Sequence, residues 1–482
     1  MDTMPQSAVP ANDRTSAPPL PANAPEPSRR GLWIALILTI VALFGGLGYL
    51  AFRSAPPVGT PSPSSSASAG EKTVLTYATH WDQFQAEGIM ENGKIKYRGL
   101  NQYLQEYEAL HPDIQIKTVF LEFSDYQAGI KVLNDAGAPP DIYSIYSTWG
   151  VSMAHGGLLA TPPADIQQDV KDHYLSTAGV TIDGKIWGIP TELDDYLLVY
   201  NKRMFKDAGI VDAQGNALPP ATWDEAVNDA VKLARHDAQG HITRYGFAFQ
   251  PDIDDFITDP FLSVLFTNGG HYLSDDLTKC RLNEPAGVQA LDKFLALFRR
   301  GATDPNGNLW DISKGTVAMA IMAPWVEQDL RDSLGDAFDS TIGVAPIPQL
   351  KQRSTLQYSW FIGVMQGSKH QKEAWDFLRW FTEEVQPSTG TTRLSDLLAQ
   401  NIGAIPSRKA DIAGEQAFVG GSSFRKPFVD ALPFSVPEPN VQNAADIKTA
   451  LRNQIQTAWV GKKTAQQALD DACSAIDMLL VR

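Results

Sequence analysis

Cysteine is scarce, with two residues in a chain of 482. They lie so far apart that they form neither a metal-binding motif nor a disulfide framework. Basic residues are outnumbered, 40 Lys and Arg against 55 Asp and Glu, for a net charge of −15. Nucleic acid and anionic membrane surfaces both need clustered Lys and Arg, so neither suits this chain as a partner. The eight His are scattered, and no GxxxxGK[ST], GxGxxG, HExxH or GxSxG occurs. Those gaps weaken nucleotide, zinc-protease and serine-hydrolase readings, and no cofactor or metal is expected. Long apolar runs are also lacking, with one exception near the N-terminus, and no Cys closes it to carry a lipid anchor.

That exception is Gly31–Phe52, which contains no charged residue. At about 1.5 Å per residue it spans a hydrocarbon core of roughly 30 Å. Arg29 and Arg30 precede it, which places the N-terminus in the cytoplasm and the remainder outside. The small-residue run Ser65–Ala69 lies farther past the apolar stretch than a cleavage site usually does, so the run reads as an uncleaved, single-pass anchor. Residues 1–30 are a Pro/Ala/Ser-rich tail that cannot form a core, and 53–71 are a flexible tether. Residues 72–482 form the folded part. With 43% hydrophobic residues the chain is globular, and its length calls for two packed lobes.

The folded part is organised around GKIWGIPTELDDYLLVYNKRMFKDAGI, Gly184–Ile210. Proline fixes φ and lacks an N–H, so a sheet ends or changes partners near Pro190. Side chains alternate along extended chain, so Glu192 and Asp194 share one face and Asp195 takes the other. Before this stretch, strands are predicted at Lys72–Ala78, Ile114–Leu121 and from Pro139 to Tyr146, with helices at Gly99–Leu110 and Tyr126–Ala136. Leu100, Tyr103, Leu104, Tyr107 and Leu110 recur at helical spacing, and the alternation implies βαβ units. Trp81 and Trp149 then fall near strand ends, where open α/β sheets hold ligands. After it, Thr222 and Glu225 form a capping box. Gln250–Pro260 lacks the glycine and terminal glutamate of a calcium loop and is expected to be a solvated loop. Thr464–Leu480 is amphipathic, with Cys473 on its apolar face as a buried thiol.

GKIWGIP…YNKRMFKDAGI resembles the first hinge of the maltose-binding-protein-like extracellular solute-binding proteins of ABC importers. LNDAGAPPDIYSIYSTWG…GGLLATP, PPATWDE, KGTVAMAIMAPWVEQDL, YSWFIGVM and IPSR are similar to further segments of that family, in order, and the likeness runs from about Lys72 to the C-terminus. Ala323 stands where the family usually has Gly. The resemblance implies a two-lobed periplasmic-binding-protein fold, lobe 1 being about 72–191 plus 362–413 and lobe 2 about 192–361 plus 414–482. It implies a cleft that closes on a small neutral solute, a mono- or oligosaccharide, and docking on ABC importer permease subunits that supply ATP hydrolysis. Sugar rings pack their C–H faces on aromatic rings, and carboxylates accept from hydroxyls. The candidate ligand-binding residues are therefore Trp81, Tyr146, Trp149, Asp194, Asp195, Trp325 and Trp360. Asp194 occupies the family's acidic sugar contact. Trp187, Trp223, Trp375 and Trp380 sit in motifs that look structural. Because both cysteines fall in the second lobe by resemblance, on an oxidising side, a Cys280–Cys473 bridge stays open beside the buried-thiol reading.

No catalytic residue is expected. Glu192 and Asp194 are the one pair a membrane-anchored glycosidase could use, but two residues apart on one strand face they are too close and too parallel. A ligand-sensing subunit for a membrane kinase is a second alternative, and a polyamine in place of a sugar also fits acids combined with aromatics.

Overall fold

The computed structural model describes residues 72–480, Asp82 apart. The predicted tail, anchor and tether lie outside these residues. Among those described, no helix is long and apolar enough to cross a membrane.

Two sheets organise the chain. In the first, Thr73–Thr79 pairs in parallel with Ile114–Phe120 on one side and Ile142–Tyr146 on the other. Parallel neighbours need crossover connections. Helices Leu100–Leu110 and Tyr126–Asp135 lie in these connections. Leu100, Tyr103, Leu104 and Tyr107 are buried as the spacing predicts, whereas Leu110, the last residue of its helix, is exposed. The long strand Thr355–Val364 runs antiparallel to Ile142–Tyr146, and Ser435–Pro437 extends the sheet beside it. The second sheet is antiparallel, with Leu197–Asn201 between Met319–Met322 and Ile342–Ala345.

Alternation along Leu197–Asn201 divides two cores. Leu198 and Tyr200 join one that contains Trp223, Phe247 and Phe261, while Leu197 and Val199 join another with Ile312, Val326 and Phe424. A strand buried on both faces is continuously apolar for this reason.

Two strands connect the sheets. Ile189–Asp195 runs antiparallel to Thr355–Val364 and leads through Tyr196 directly into Leu197–Asn201. Pro190 does not end it. Proline lies inside the strand opposite Phe361, and the pairing register shifts just beyond, between Ser359 and Phe361. The missing N–H is thus accommodated by an irregularity in the register. Gly188, just before the strand, permits the approach: a Cβ there would sit 2.4 Å from a ring carbon of Phe361 and 2.6 Å from the Ile362 carbonyl oxygen. On its other side the crossing is braced by Ile405–Ser407. The Leu193 N–H donates to the Ile405 carbonyl at 2.9 Å, and the Ser407 N–H donates to the Thr191 carbonyl at 3.0 Å. Gly403, at φ +92°, makes the left-handed turn that delivers this segment.

The Thr222 capping box forms as expected, with Thr222 accepting from the Glu225 N–H and Glu225 accepting from the Thr222 N–H. Two expectations are corrected. Gln250–Pro260 is not a solvated loop: helix Asp255–Thr267 starts within it and Asp259 is fully buried. Cys473 is not a thiol, because it is bonded to Cys280 across a Cα separation of 5.1 Å. The bridge ties helix Ala465–Leu480 to the Leu273–Cys280 turn, and the Cys280 N–H donates to Asp477 at 2.7 Å.

Candidate ligand-binding site

A cavity of about 250 Å³ opens beyond the carboxyl ends of the parallel strands. That is many times the space one water needs. One wall comes from the end of strand Ile142–Tyr146 and the segments after it and after Ile114–Phe120, namely Phe123, Gln127, Tyr146, Thr148 and Trp149. The other wall is Asp252–Asp255, at the start of helix Asp255–Thr267, with Ala445 and Lys448 from helix Ala444–Trp459. The first wall is mostly aromatic and the second mostly charged.

The aromatic wall is a nest of rings. Trp149 stacks on Phe123 and Tyr126 at centroid distances of 5.9 and 5.4 Å and meets Tyr146 and Trp360 edge-on, both at 5.5 Å. Trp360 in turn stacks on His80 at 3.6 Å. Burial lowers the His80 pKa to about 3, so that ring is neutral.

The charged wall is centred on Lys448. Its Nζ lies 2.7 Å from Glu438 and 3.0 Å from Asp259, and it also pairs with Asp255. Burial alone would lower its pKa, but these carboxylates hold it well above the usual lysine range. Asp259 and Glu438 are raised by burial, against the pull of Lys448. The Tyr146 hydroxyl donates to Glu438 at 3.0 Å and the Tyr196 hydroxyl to Asp259 at 3.0 Å, so the aromatic and charged walls share one hydrogen-bonded network. Asp254 is paired with Arg452 at 2.5 Å and accepts from Thr449.

Of the seven residues singled out in the sequence, Tyr146 and Trp149 line this cavity. Trp360 lies directly behind them, and Trp81 is buried against Tyr77 and His80. Trp325 and Asp194 are joined elsewhere: the half-buried Trp325 indole N–H donates to the Tyr358 hydroxyl at 2.8 Å, and that hydroxyl reaches Asp194 at 3.4 Å. The second oxygen of Asp194 accepts from the Ile405 N–H at 2.9 Å. Trp325 also faces Phe256, the residue after the charged wall, at 6.2 Å. Burial raises Asp194 to about 7, opposed by the Ile405 and Tyr358 donors. Glu192 rises to about 8 through burial and the nearby Asp194. Asp195 is fully buried with neither carboxylate oxygen hydrogen-bonded among the described residues, and burial raises it well above the ordinary range.

Lys448, Asp252–Asp255, Phe123 and Gln127 were not foreseen. Lys448 has buried Ile447, Leu451 and Ile455 near it on its helix, a faint sign that it faces inward. Its carboxylate partners are up to 193 residues away in sequence.

Comparison with known proteins places this architecture. Residues 92–386 match the family described as bacterial extracellular solute-binding protein. A Brucella abortus protein named only as a binding protein is 24% identical over 386 residues, 78% of this chain and 88% of that one. The maltodextrin-binding protein of Bacillus subtilis is 25% identical, covering 86% of this chain and 92% of its own. The fold also superimposes on an ABC substrate-binding protein from Listeria monocytogenes in complex with cycloalternan. That match has a TM-score of 0.70 at 20% identity and covers 85% of this chain and 99% of the other. Two α/β lobes joined by crossing strands are therefore the periplasmic-binding-protein fold, and the chain belongs to the bacterial extracellular solute-binding protein family.

Proposed function

We propose that the chain captures a carbohydrate between its lobes on the extracytoplasmic side and delivers it to the permease subunits of an ABC importer, tethered to the membrane by Gly31–Phe52. The observation that carries this reading is the cavity with an aromatic wall on one side and hydrogen-bonding carboxylates on the other. Aromatic faces pack on sugar rings and ionised carboxylates accept from hydroxyls, a combination that orients a polyhydroxylated solute. The relatives named for maltodextrin and found with cycloalternan support a carbohydrate over other solutes. The disulfide supports an oxidising compartment. Neither Glu192 nor Asp194 lines the cavity, which argues against their acting as a glycosidase pair.

Trp149 and Tyr146 form the stacking wall. Trp360 and Trp81 support the stack, while Trp325 and Asp194, joined through Tyr358, lie beside the crossing strands outside the cavity lining. Closure rotates the lobes about the crossing strands Ile189–Asp195 and Thr355–Val364 and is driven by contacts made only in the closed state. A thermal-shift screen of the full chain across neutral oligosaccharides and amines, followed by calorimetry, tests the reading. Stabilisation by at least one carbohydrate series is expected; stabilisation by amines or amino acids alone would overturn it.

A further inference from the structure

We propose that the cavity selects its carbohydrate by charge, preferring an amine-bearing sugar to the neutral analogue and excluding sugar acids, and that Asp252 sets this preference. The inference rests on the carbohydrate reading above. The cavity's volume and aromatic wall make it a ligand site; the acids decide its sign.

Lys448, which lines the cavity, and Arg452, which pairs with the lining Asp254, are already neutralised. Lys448 is held by Asp255, Asp259 and Glu438, and Arg452 by Asp254. A carboxylate or phosphate on the solute would have to displace one of these partners, leaving a buried carboxylate unpaired, which is costly. Asp259 and Glu438 are taken up by Lys448 and present no free charge to the solute. Even without them Asp252, Asp254 and Asp255 outnumber Lys448 and Arg452. Asp252 lines the cavity, is exposed, and makes no hydrogen bond or ion pair among the described residues. It is therefore the carboxylate free to meet an incoming ammonium group. The facing rings of Phe123 and Trp149 attract a cation through their π-faces as readily as they pack a sugar ring.

The test is calorimetry on the full chain at pH 6 and low salt. The ligands are glucosamine, glucose and glucuronate, then the matching amine, neutral and acid forms of the β-1,4-linked di- and tetrasaccharides. The amine members should bind about tenfold more tightly than the neutral ones, as one added charge contact gives in a partly desolvated site. The acid members should give no measurable heat. Added sodium chloride should erode the amine advantage, and Asp252→Asn should remove most of that ratio. Equal or tighter binding of the neutral members, or an amine advantage that survives in Asp252→Asn, would overturn the charge selection and leave carbohydrate capture standing. Binding of spermidine with no sugar of any class would overturn the carbohydrate reading itself.

Discussion

Trp325 and Asp194 are linked through Tyr358, so a change at either end is felt at the other. Trp325→Ala removes an aromatic face and the indole donor, and should cost about 2–4 kcal/mol of ligand binding by analogy with buried aromatic truncations. Asp194→Asn reaches the ligand only through Tyr358 and Trp325, since Asp194 does not line the cavity, and should cost less, about 0.5–1.5 kcal/mol, the range of one ordinary hydrogen bond. Calorimetry measures both, and a thermal melt without ligand checks that the fold persists. Side chains at the ends of strands were legible in the sequence: Tyr146 ends a short apolar strand, Trp149 follows it, and strand carboxyl ends are where such sheets hold ligands. Lys448 was not. A buried lysine depends on carboxylates supplied from other elements, and no local pattern records that pairing.

At the level of elements, helices and strands with a clear apolar period were recovered to within a few residues, because packing and periodicity agree there. The segment Gln250–Pro260 failed for the opposite reason. Four aspartates and an internal proline look solvated, yet Asp255 and Asp259 are neutralised by Lys448, which lies on helix Ala444–Trp459. The cysteine pair was equally opaque, since burial explains a thiol and a disulfide alike. Replacing Cys280 and Cys473 together by Ser should lower unfolding stability by about 2–4 kcal/mol, the usual range for a lost native disulfide. Ligand affinity should stay unchanged, as neither residue lines the cavity. Denaturant melts beside calorimetry separate the two quantities.

For the whole molecule, the two-lobed arrangement was readable because its crossing strands carry unusual residues: a proline beside a close-packed glycine, then three acids in four positions. Those acids also give the molecule a proton linkage. Glu192, ordinarily near 4.5, is raised to about 8 in the folded chain. The folded state therefore keeps a proton that the unfolded chain releases. The stability tied to that proton is full below about pH 4.5 and is lost as pH rises through about 8. Glu192→Gln should flatten the decline in melting temperature between pH 5 and pH 8, and an unaltered pH profile would show that Glu192 does not hold the proton. Solute capture by the cavity is tested most directly by a calorimetric titration of Trp149→Ala against the unaltered chain, using the carbohydrate that stabilises the latter most. A loss of about 2–4 kcal/mol in binding, with a cooperative melt retained, is the predicted result; an unchanged Kd in a folded variant would contradict the placement of the ligand against this wall.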